Sequence, residues 1–242
     1  MRLKNVKGSQ EKIEAHVNTI QADDVSGKNY KGRWKELFNN DNPIHIEIGM
    51  GKGKFLMDMA EKYPDINFVG IEKFSSVLVR AIEKLEERKS PSENSDKNCE
   101  TKSDNTEACD QVKPFKNIIF LRMDAENILD FFEENEIDKI YLNFSDPWPK
   151  VRHAKRRLTS TTFLPKYKII LKPNGLLQFK TDNKDLFDFS VKEVKKFGLK
   201  MEELDYDIHK DGPMQDNVMT EYEEKFYNLG NPIMRMVVKF EK

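Results

Sequence analysis

Residues 44–62 read IHIEIGMGKGKFLMDMAEK, and this stretch decides the fold. Its first five residues, Ile44–Ile48, are rich in isoleucine, as buried strands of a parallel sheet tend to be. Glycines follow at positions 49, 51 and 53, and the periodicity then becomes helical over Lys54–Lys62. A strand, a glycine turn and a helix in this order are typical of a nucleotide-binding βα unit, because glycine lets the backbone turn sharply and approach a ligand closely.

The alternation of strands and helices continues along the rest of the chain. Strict alternation of this kind predicts a doubly wound α/β sheet with mostly parallel strands. The last two strands lack a complete βαβ crossover, so we expect a seven-stranded, Rossmann-like sheet whose final strand is antiparallel. After Ile44–Ile48, the candidate strands are Ile66–Ile71, Ile118–Met123, Lys139–Phe144, Gly175–Lys180, Lys200–Ile208 and Ile233–Phe240, and the candidate helices are Lys54–Lys62, Ser75–Lys89, Ala125–Glu134, Thr161–Leu171, Lys184–Phe197 and Asn217–Leu229.

Length and composition fit one sizeable domain. The chain has 242 residues, of which 38% are hydrophobic, enough for a single core and too many for a disordered chain. Its two cysteines exclude a disulfide scaffold. No apolar run approaches the roughly 18 residues of a membrane span, and residues 1–20 lack the apolar region of a signal peptide. We therefore expect a cytoplasmic protein.

Charge is distributed unevenly and marks two segments outside the main domain. The 41 Lys and Arg residues nearly balance the 42 Asp and Glu residues. Residues 90–113 are acidic and contain no aromatic residue, so we interpret them as a disordered low-complexity insertion in which Cys99 and Cys109 are incidental thiols. Residues 1–40 show no strong periodicity and begin with basic residues, which predicts a partly flexible N-terminal basic arm. Residues 41–242 then form a single domain.

Acidic side chains follow three successive strands of the predicted sheet. Glu47 stands just before the glycine turn, Glu72 ends the second strand, and Asp124 follows the third. Ligands of open α/β sheets lie at the carboxyl ends of the strands, so these carboxylates should line one crevice. Glu47 would repel a pyrophosphate and instead suits a positive group, such as the ammonium of S-adenosylmethionine. Glu72 is placed to accept ribose hydroxyls, and Asp124 to reach an adenine amine.

Each of these features also has a purely structural interpretation. A glycine turn occurs in any tight βα connection, Glu72 is compatible with a solvated strand end, and Asp124 with a helix cap. The order of the acidic residues on successive strand ends favours the cofactor site. The spacing G-x-G-x-G, in place of G-x-G-x-x-G, together with Glu47 disfavours a dehydrogenase.

The fourth strand leads into NFSDPWPK at residues 143–150. Asp146 should point into the same crevice, and two prolines stiffen the loop beside Trp148. The sequence DPW resembles the D/N-P-P-Y/W/F motif with which amino-methyltransferases hold a planar nitrogen nucleophile; a proline-braced turn is the alternative. Beside such a site, the basic cluster that follows indicates contact with a phosphate backbone, whereas elsewhere it would be a solvated face. The cluster consists of Lys150, Arg152, His153, Lys155, Arg156 and Arg157.

Together these motifs resemble the bacterial tRNA (guanine-N7)-methyltransferases, which are class I S-adenosylmethionine-dependent enzymes. The resemblance rests on EIGMGKGKF (47–55), GIEK (70–73), YLNFSDPWPKVRHAKRRL (141–158), LKPNGLLQFKTDN (171–183) and TEYEEKF (220–226). It implies the class I methyltransferase fold, S-adenosylmethionine as donor, no metal, and methylation of N7 of the variable-loop guanosine (guanine-46) in tRNA. The implied site residues are Glu47, Gly49, Gly51, Glu72, Asp124 and Asp146 for the donor, with Asp146 catalytic; Lys150, Asp182, Thr220 and Glu223 for the guanosine; and Arg152, His153, Lys155, Arg156 and Arg157 for RNA.

The chemistry of guanine fits this resemblance. N7 carries an in-plane lone pair and no proton, so its methylation needs no general base, and a carboxylate at Asp146 would stabilise the charge that develops on the ring. Asp182 and Glu223 also have structural interpretations, as a helix cap and as part of a solvated helix face. Two alternatives remain at this point: methylation of another nitrogen, such as an exocyclic amine of adenine or a small-molecule amine, and a non-catalytic RNA-binding module. We expect no membrane partner, and either a monomer or a homodimer.

Overall fold

The computed structural model describes residues 8–21, 30–88 and 115–242. The insertion predicted at 90–113, with Cys99 and Cys109, lies outside the described residues. In chain order, the helices and strands are α1 (Ser9–Ala15), β1 (Thr19–Gln21), α2 (Trp34–Phe38), β2 (Ile44–Ile48), α3 (Lys54–Lys62), β3 (Asn67–Glu72), α4 (Ser75–Glu87), β4 (Ile118–Arg122), a 3-10 helix (Ala125–Asp130), β5 (Ile137–Asn143), a second 3-10 helix (Val151–Arg156), α5 (Leu164–Ile170), β6 (Leu171–Thr181), α6 (Lys184–Phe197), β7 (Lys200–Asp205), α7 (Glu221–Asn228) and β8 (Met234–Phe240).

The strands form one sheet in the order β1-β4-β3-β2-β5-β6-β8-β7. The final strand, β8, runs antiparallel to both β6 and β7, and the pairings among β1 to β6 are parallel. The predicted α/β sheet with an antiparallel final strand is confirmed. The sheet has eight strands where seven were predicted, because β1 pairs with β4. A strand of three residues is too short to show a periodic pattern.

The N-terminal residues that the structure describes are part of this fold. Ile13 of α1 is fully buried and packs with residues of α3 and α4. Trp34 of α2 is also fully buried, and its indole Nε1 donates a hydrogen bond to the Phe131 carbonyl at 2.8 Å. The described residues 8–21 and 30–40 therefore pack with the rest of the domain, and the partly flexible basic arm expected over residues 1–40 stays a prediction. Helix α1 buries Ile13 alone and α2 buries Trp34 and Phe38, which are too few apolar residues to form a repeating pattern in the sequence.

Apolar side chains cover both faces of the sheet. Neighbouring residues of a strand point to opposite faces, so Phe68 packs with α3 and α4 while Val69 joins the cluster on the α5 and α6 side. Gly70 of β3 allows close packing, since a Cβ there would lie 2.7 Å from Leu56 Cδ2 of α3. This contact fixes α3, and the glycine turn before it, against the centre of the sheet.

The bounds predicted for α3 and α6 match the structure. Asn183 caps the first turn of α6 by accepting from the Leu186 amide, and Gly198 ends the helix with φ of 80°. The helix predicted over 125–134 is instead the 3-10 helix Ala125–Asp130, inside which Asn127 departs from helical backbone angles. Within the described residues, no helix is long and apolar enough to cross a membrane.

Candidate active site

A crevice of about 490 Å³ lies between the glycine turn after β2, the end of β5 and the start of α7. A volume of this size is typical of small-molecule sites. Gly49, Gly51 and Gly53 have φ angles of 79°, 58° and 74°, which side chains of L residues rarely permit, so this turn requires glycine. A Cβ added at Gly49 or Gly51 would meet no atom within 4 Å. One wall of the crevice is therefore bare backbone beside open space.

Glu47 places a buried carboxyl group in this crevice. Its side chain is only 2% exposed, and Oε1 accepts a hydrogen bond from Asn143 Nδ2 at 2.9 Å. Oε2 is buried and has no hydrogen-bond partner among the described residues. Burial raises the pKa of Glu47 to about 8, although the Asn143 hydrogen bond and the Lys180 charge oppose the shift. A cationic donor bound in the crevice would supply the missing partner and favour the ionised carboxylate.

Glu72 connects the end of β3 to the glycine turn. It is 7% exposed, and its carboxylate accepts hydrogen bonds from the Phe74 amide at 2.9 Å and the Gly51 amide at 3.2 Å. Burial raises its pKa, while these backbone hydrogen bonds act in the opposite direction. An ionised carboxylate has about four acceptor positions, so hydroxyl groups of a ligand can still bind.

Asp124 follows β4 and is half-buried. Its carboxylate forms an ion pair with Lys73 and accepts from the Glu126 amide, so it caps the 3-10 helix Ala125–Asp130. Burial alone would raise its pKa, but the hydrogen bonds from Lys73 and Glu126 lower the pKa on balance. The capping interpretation that the sequence left open is therefore present in the structure, and the oxygen positions not used by the cap remain for a ligand.

Asp146 lies in the exposed loop after β5, close enough to Glu72 for its charge to raise the pKa of that buried carboxyl group. The flanking residues Phe144 and Trp148 have φ angles of 51° and 41°. Positive φ angles at residues other than glycine are strained and persist only where the surrounding structure holds them, often at functional sites. The loop that carries Asp146 is therefore held in one conformation rather than free.

An aromatic stack holds the first half of this loop. The Phe144 amide donates to the Lys180 carbonyl at 2.9 Å, which continues the β5–β6 ladder. Its ring stacks on Tyr222 and Phe226 of α7, at centroid distances of 6.4 and 6.5 Å. Tyr222 is largely exposed at the mouth of the crevice. The start of α7 and the loop after β5 are thereby joined at the entrance to the site.

Comparisons with known proteins agree with this geometry. A family model described as "Putative methyltransferase" matches residues 41–236. A curated protein of Lachnoclostridium phytofermentans named tRNA (guanine-N(7)-)-methyltransferase is 48% identical over 242 residues, which cover 100% of both chains. The chain belongs to the tRNA (guanine-N7)-methyltransferase family. A Bacillus subtilis relative of the same name is 43% identical over 211 residues, covering 87% of each chain.

Solved structures with the fold of this methyltransferase family are more distant in sequence. The 16S rRNA methyltransferase KamB gives a TM-score of 0.59 at 12% identity, covering 87% of this chain and 94% of its own. A 16S rRNA adenine-N1-methyltransferase from Catenulisporales acidiphilia, solved with its cosubstrate S-adenosylmethionine, gives 0.55 at 11% identity, covering 87% and 91%. At these identities the likeness shows the methyltransferase fold alone.

The residues that the family resemblance assigns to guanosine occupy different environments. Lys150 is exposed after the Asp146 loop, and Asp182 is half-buried directly after β6. Because β5 and β6 are parallel neighbours, both residues lie at the carboxyl edge of the sheet. Thr220 lines the crevice and caps α7 by accepting from the Glu223 amide at 2.9 Å. Of the three, Thr220 alone lines the crevice.

Glu223 is not among the residues that line the crevice. It is 0% exposed, and Oε2 accepts from Lys180 Nζ, itself fully buried, at 2.5 Å. Oε1 accepts from Asn217 Nδ2 at 2.6 Å and lies 3.0 Å from His209 Nε2. In this structure the Glu223 carboxylate fastens α7 and the segment before it to β6, and the guanosine contact expected of Glu223 stays a prediction. Lys180 was not predicted as a site residue from the sequence. The available indication was a lysine at the end of the largely apolar segment GLLQFK, residues 175–180.

The residues of the basic cluster differ in exposure: some face solvent and others are half-buried against the protein. Arg152, Lys155 and Arg156 are exposed on the 3-10 helix Val151–Arg156, available to an external anion. His153 is half-buried and packs edge-on against Trp148 at 5.7 Å. Arg157 follows the helix and is turned toward the Asp146 loop, where its donors bind main-chain carbonyls.

Proposed function

We propose that the protein transfers a methyl group from S-adenosylmethionine to N7 of the variable-loop guanosine in tRNA, in the cytoplasm. The observation that carries this proposal is the buried, unpartnered Oε2 of Glu47 in a crevice walled by glycine backbone, in a chain of this family. A carboxylate oxygen of this kind matches the ammonium group of the donor.

Glu47, Gly49 and Gly51 line the crevice, and Glu72 and Asp124 lie at the ends of the next two strands; together they would hold the donor as follows. Glu47 would bind its ammonium, and the free acceptor positions of Glu72 would bind its ribose hydroxyls. Gly49 and Gly51 allow its close approach to the backbone. Asp124 would accept from the adenine amine. When bound, S-adenosylmethionine supplies an electrophilic methyl group, whose bond to sulfur breaks as its bond to guanine N7 forms.

The role proposed for Asp146 is electrostatic. Guanine N7 has no proton to lose, and methylation makes the ring cationic, so a fixed carboxylate stabilises the charge that develops in the transition state. Asp146 can also accept from guanine N1–H or from its exocyclic amine, with Asp182 and Lys150 at the same edge of the sheet. Holding N7 in line with the methyl group supplies much of the remaining rate enhancement.

The exposed basic residues Arg152, Lys155 and Arg156 would neutralise backbone phosphates beside the target nucleoside. Such contacts carry affinity and orientation rather than base recognition. They follow Asp146 by six to ten residues in the chain, so RNA bound to them would bring a nucleoside toward the crevice.

Transfer of a labelled methyl group from S-adenosylmethionine to unmodified tRNA tests this proposal. The wild-type enzyme and an Asp65→Asn control, altered at an exposed turn, should label tRNA at equal rates. Asp146→Asn removes the charge that stabilises the cationic ring and should slow transfer by about 100-fold or more, with an unchanged unfolding midpoint. Wild-type activity of Asp146→Asn would refute the role of Asp146, and no transfer by the wild type would refute the function.

A further inference from the structure

Arg157 has contacts unlike those of the other arginines in the basic cluster. Its Nε donates to the Pro147 carbonyl at 3.0 Å and its Nη2 donates to the Trp148 carbonyl at 3.1 Å. Its guanidinium also lies 4.2 Å over the ring of Phe189 in α6. The guanidinium fork is thus occupied by the two peptide carbonyls that follow Asp146 in the chain.

The neighbouring arginines make no such contacts. Arg152 is exposed, and among the described residues its Nε contacts only the adjacent His153 ring, at 3.4 Å. Arg156 is exposed and lies with its guanidinium 5.0 Å over the Trp148 ring. Both retain donors that face solvent, whereas Arg157 is half-buried and directed into the protein.

We propose that Arg157 is a positioning residue for Asp146 and not a contact to RNA phosphate. The segment from Phe144 to Trp148 contains two strained residues and must be held at both ends. Phe144 holds the first end through the Lys180 carbonyl, and Arg157 holds the second end through its two hydrogen bonds. Without the two hydrogen bonds from Arg157, the carboxylate of Asp146 would sample positions away from the nucleoside.

The choice of arginine over lysine is essential to this role. Arginine presents planar, divergent donors that reach two carbonyls at once, whereas the lysine ammonium is a point charge on a flexible stem. A phosphate contact tolerates a change to lysine because the charge is retained. An Arg→Lys substitution therefore separates a positioning role from an electrostatic one.

The kinetic test compares Arg157→Lys with the control Arg80→Lys, and it rests on the proposed function. Arg80 is an exposed arginine of α4 that pairs with Glu83 and has no role in the proposed site. Arg157→Lys should lower kcat for tRNA methylation about tenfold or more, with little change in KM for tRNA or in the salt dependence of binding. Arg80→Lys should leave kcat within about twofold of wild type, because its charge is kept and the residue lies outside the proposed site. An Arg157→Lys enzyme with wild-type kcat and a raised KM would overturn the proposal.

A second readout needs neither donor nor RNA. The chain has two tryptophans, of which Trp34 is fully buried and Trp148 is half-buried in the loop, so acrylamide quenching of fluorescence reports on Trp148. Arg157→Lys should raise the quenching constant about twofold, and the control Arg80→Lys should not change it. Unchanged quenching in Arg157→Lys would overturn the proposal. If the wild type methylates no tRNA while quenching still rises, the proposed function fails and the positioning role stands.

Phe189→Leu gives an independent variant should Arg157→Lys unfold. It removes the ring beneath the guanidinium and leaves both hydrogen-bond donors in place. Quenching of Trp148 should rise and kcat should fall, each less than in Arg157→Lys. A Phe189→Leu enzyme that changes only its KM for tRNA would count against the proposal.

Discussion

Substituting Glu47 by glutamine should make the protein more stable while removing its capacity to bind the donor. The folded-state pKa of Glu47 is about 8, against an ordinary value of 4.5. Between these values the folded protein holds a proton that the unfolded chain has released, so the free energy of unfolding falls as pH rises. Below pH 4.5 the carboxyl group of Glu47 is protonated in both states and costs no stability. Above about pH 8 it is ionised in both states, and the loss of stability stays constant.

The magnitude follows from the same shift. Each pH unit in this window costs about 1.4 kcal/mol, and pH 7 lies two and a half units above the unfolded pKa, so the penalty there is about 3 kcal/mol. Glutamine cannot ionise, and its amide oxygen can still accept from Asn143 Nδ2. Glu47→Gln should therefore exceed the wild type by about 3 kcal/mol at pH 7 and by almost nothing at pH 4.5.

Urea unfolding at several pH values between 4.5 and 8 measures this difference. Glu61→Gln on the exposed side of α3 is the control, and its curve should stay parallel to that of the wild type. A Glu47→Gln advantage that is independent of pH, or a less stable variant at pH 7, would refute the reasoning. The same variant should lose affinity for the donor, since a neutral amide cannot balance an ammonium group. The carboxyl group of Glu47 thus serves donor binding while it lowers the stability of the folded protein at pH 7.

The other predictions concern the buried ion pair and the RNA-facing cluster. Lys180→Met removes the lysine that pairs with the buried Glu223 carboxylate and should lower the free energy of unfolding by about 3–5 kcal/mol. Lys62→Met, which breaks a surface ion pair, should change it little. A loss below about 1 kcal/mol for Lys180→Met would contradict a stabilising role of the buried pair. Arg156→Met should reduce the slope of log affinity for tRNA against log salt by about 0.7–1, and an unchanged slope would exclude a phosphate contact.

Much of the fold was predictable because local rules agree with tertiary structure. The α3 and α6 bounds match the periodic apolar pattern, and the caps at Asn183 and Gly198 mark the limits of α6. Strands β3 and β4 are largely apolar runs, as burial on both faces requires. Strand β1 was missed because three residues carry no period, and its position depends on pairing with β4.

The candidate site was predictable only in part. Strand topology places acidic residues at one edge, which the order of Glu47, Glu72 and Asp146 in the sequence indicates. Side-chain direction is not encoded in that order. Glu223 and Arg157 both have the charge expected of ligand contacts, yet one is paired with a buried lysine and the other is turned toward main-chain carbonyls. Those partners are distant in sequence or lie across a loop, and only the folded chain identifies them.

The most direct test of the account compares two unmodified tRNA transcripts that differ only at the variable-loop guanosine, which one of them lacks. Both would be incubated with the enzyme and S-adenosylmethionine carrying a labelled methyl group, then treated with the chemistry that cleaves RNA at 7-methylguanosine. The account predicts label in the first transcript alone, with cleavage at that guanosine. Equal label in both transcripts, or label without cleavage, would contradict it.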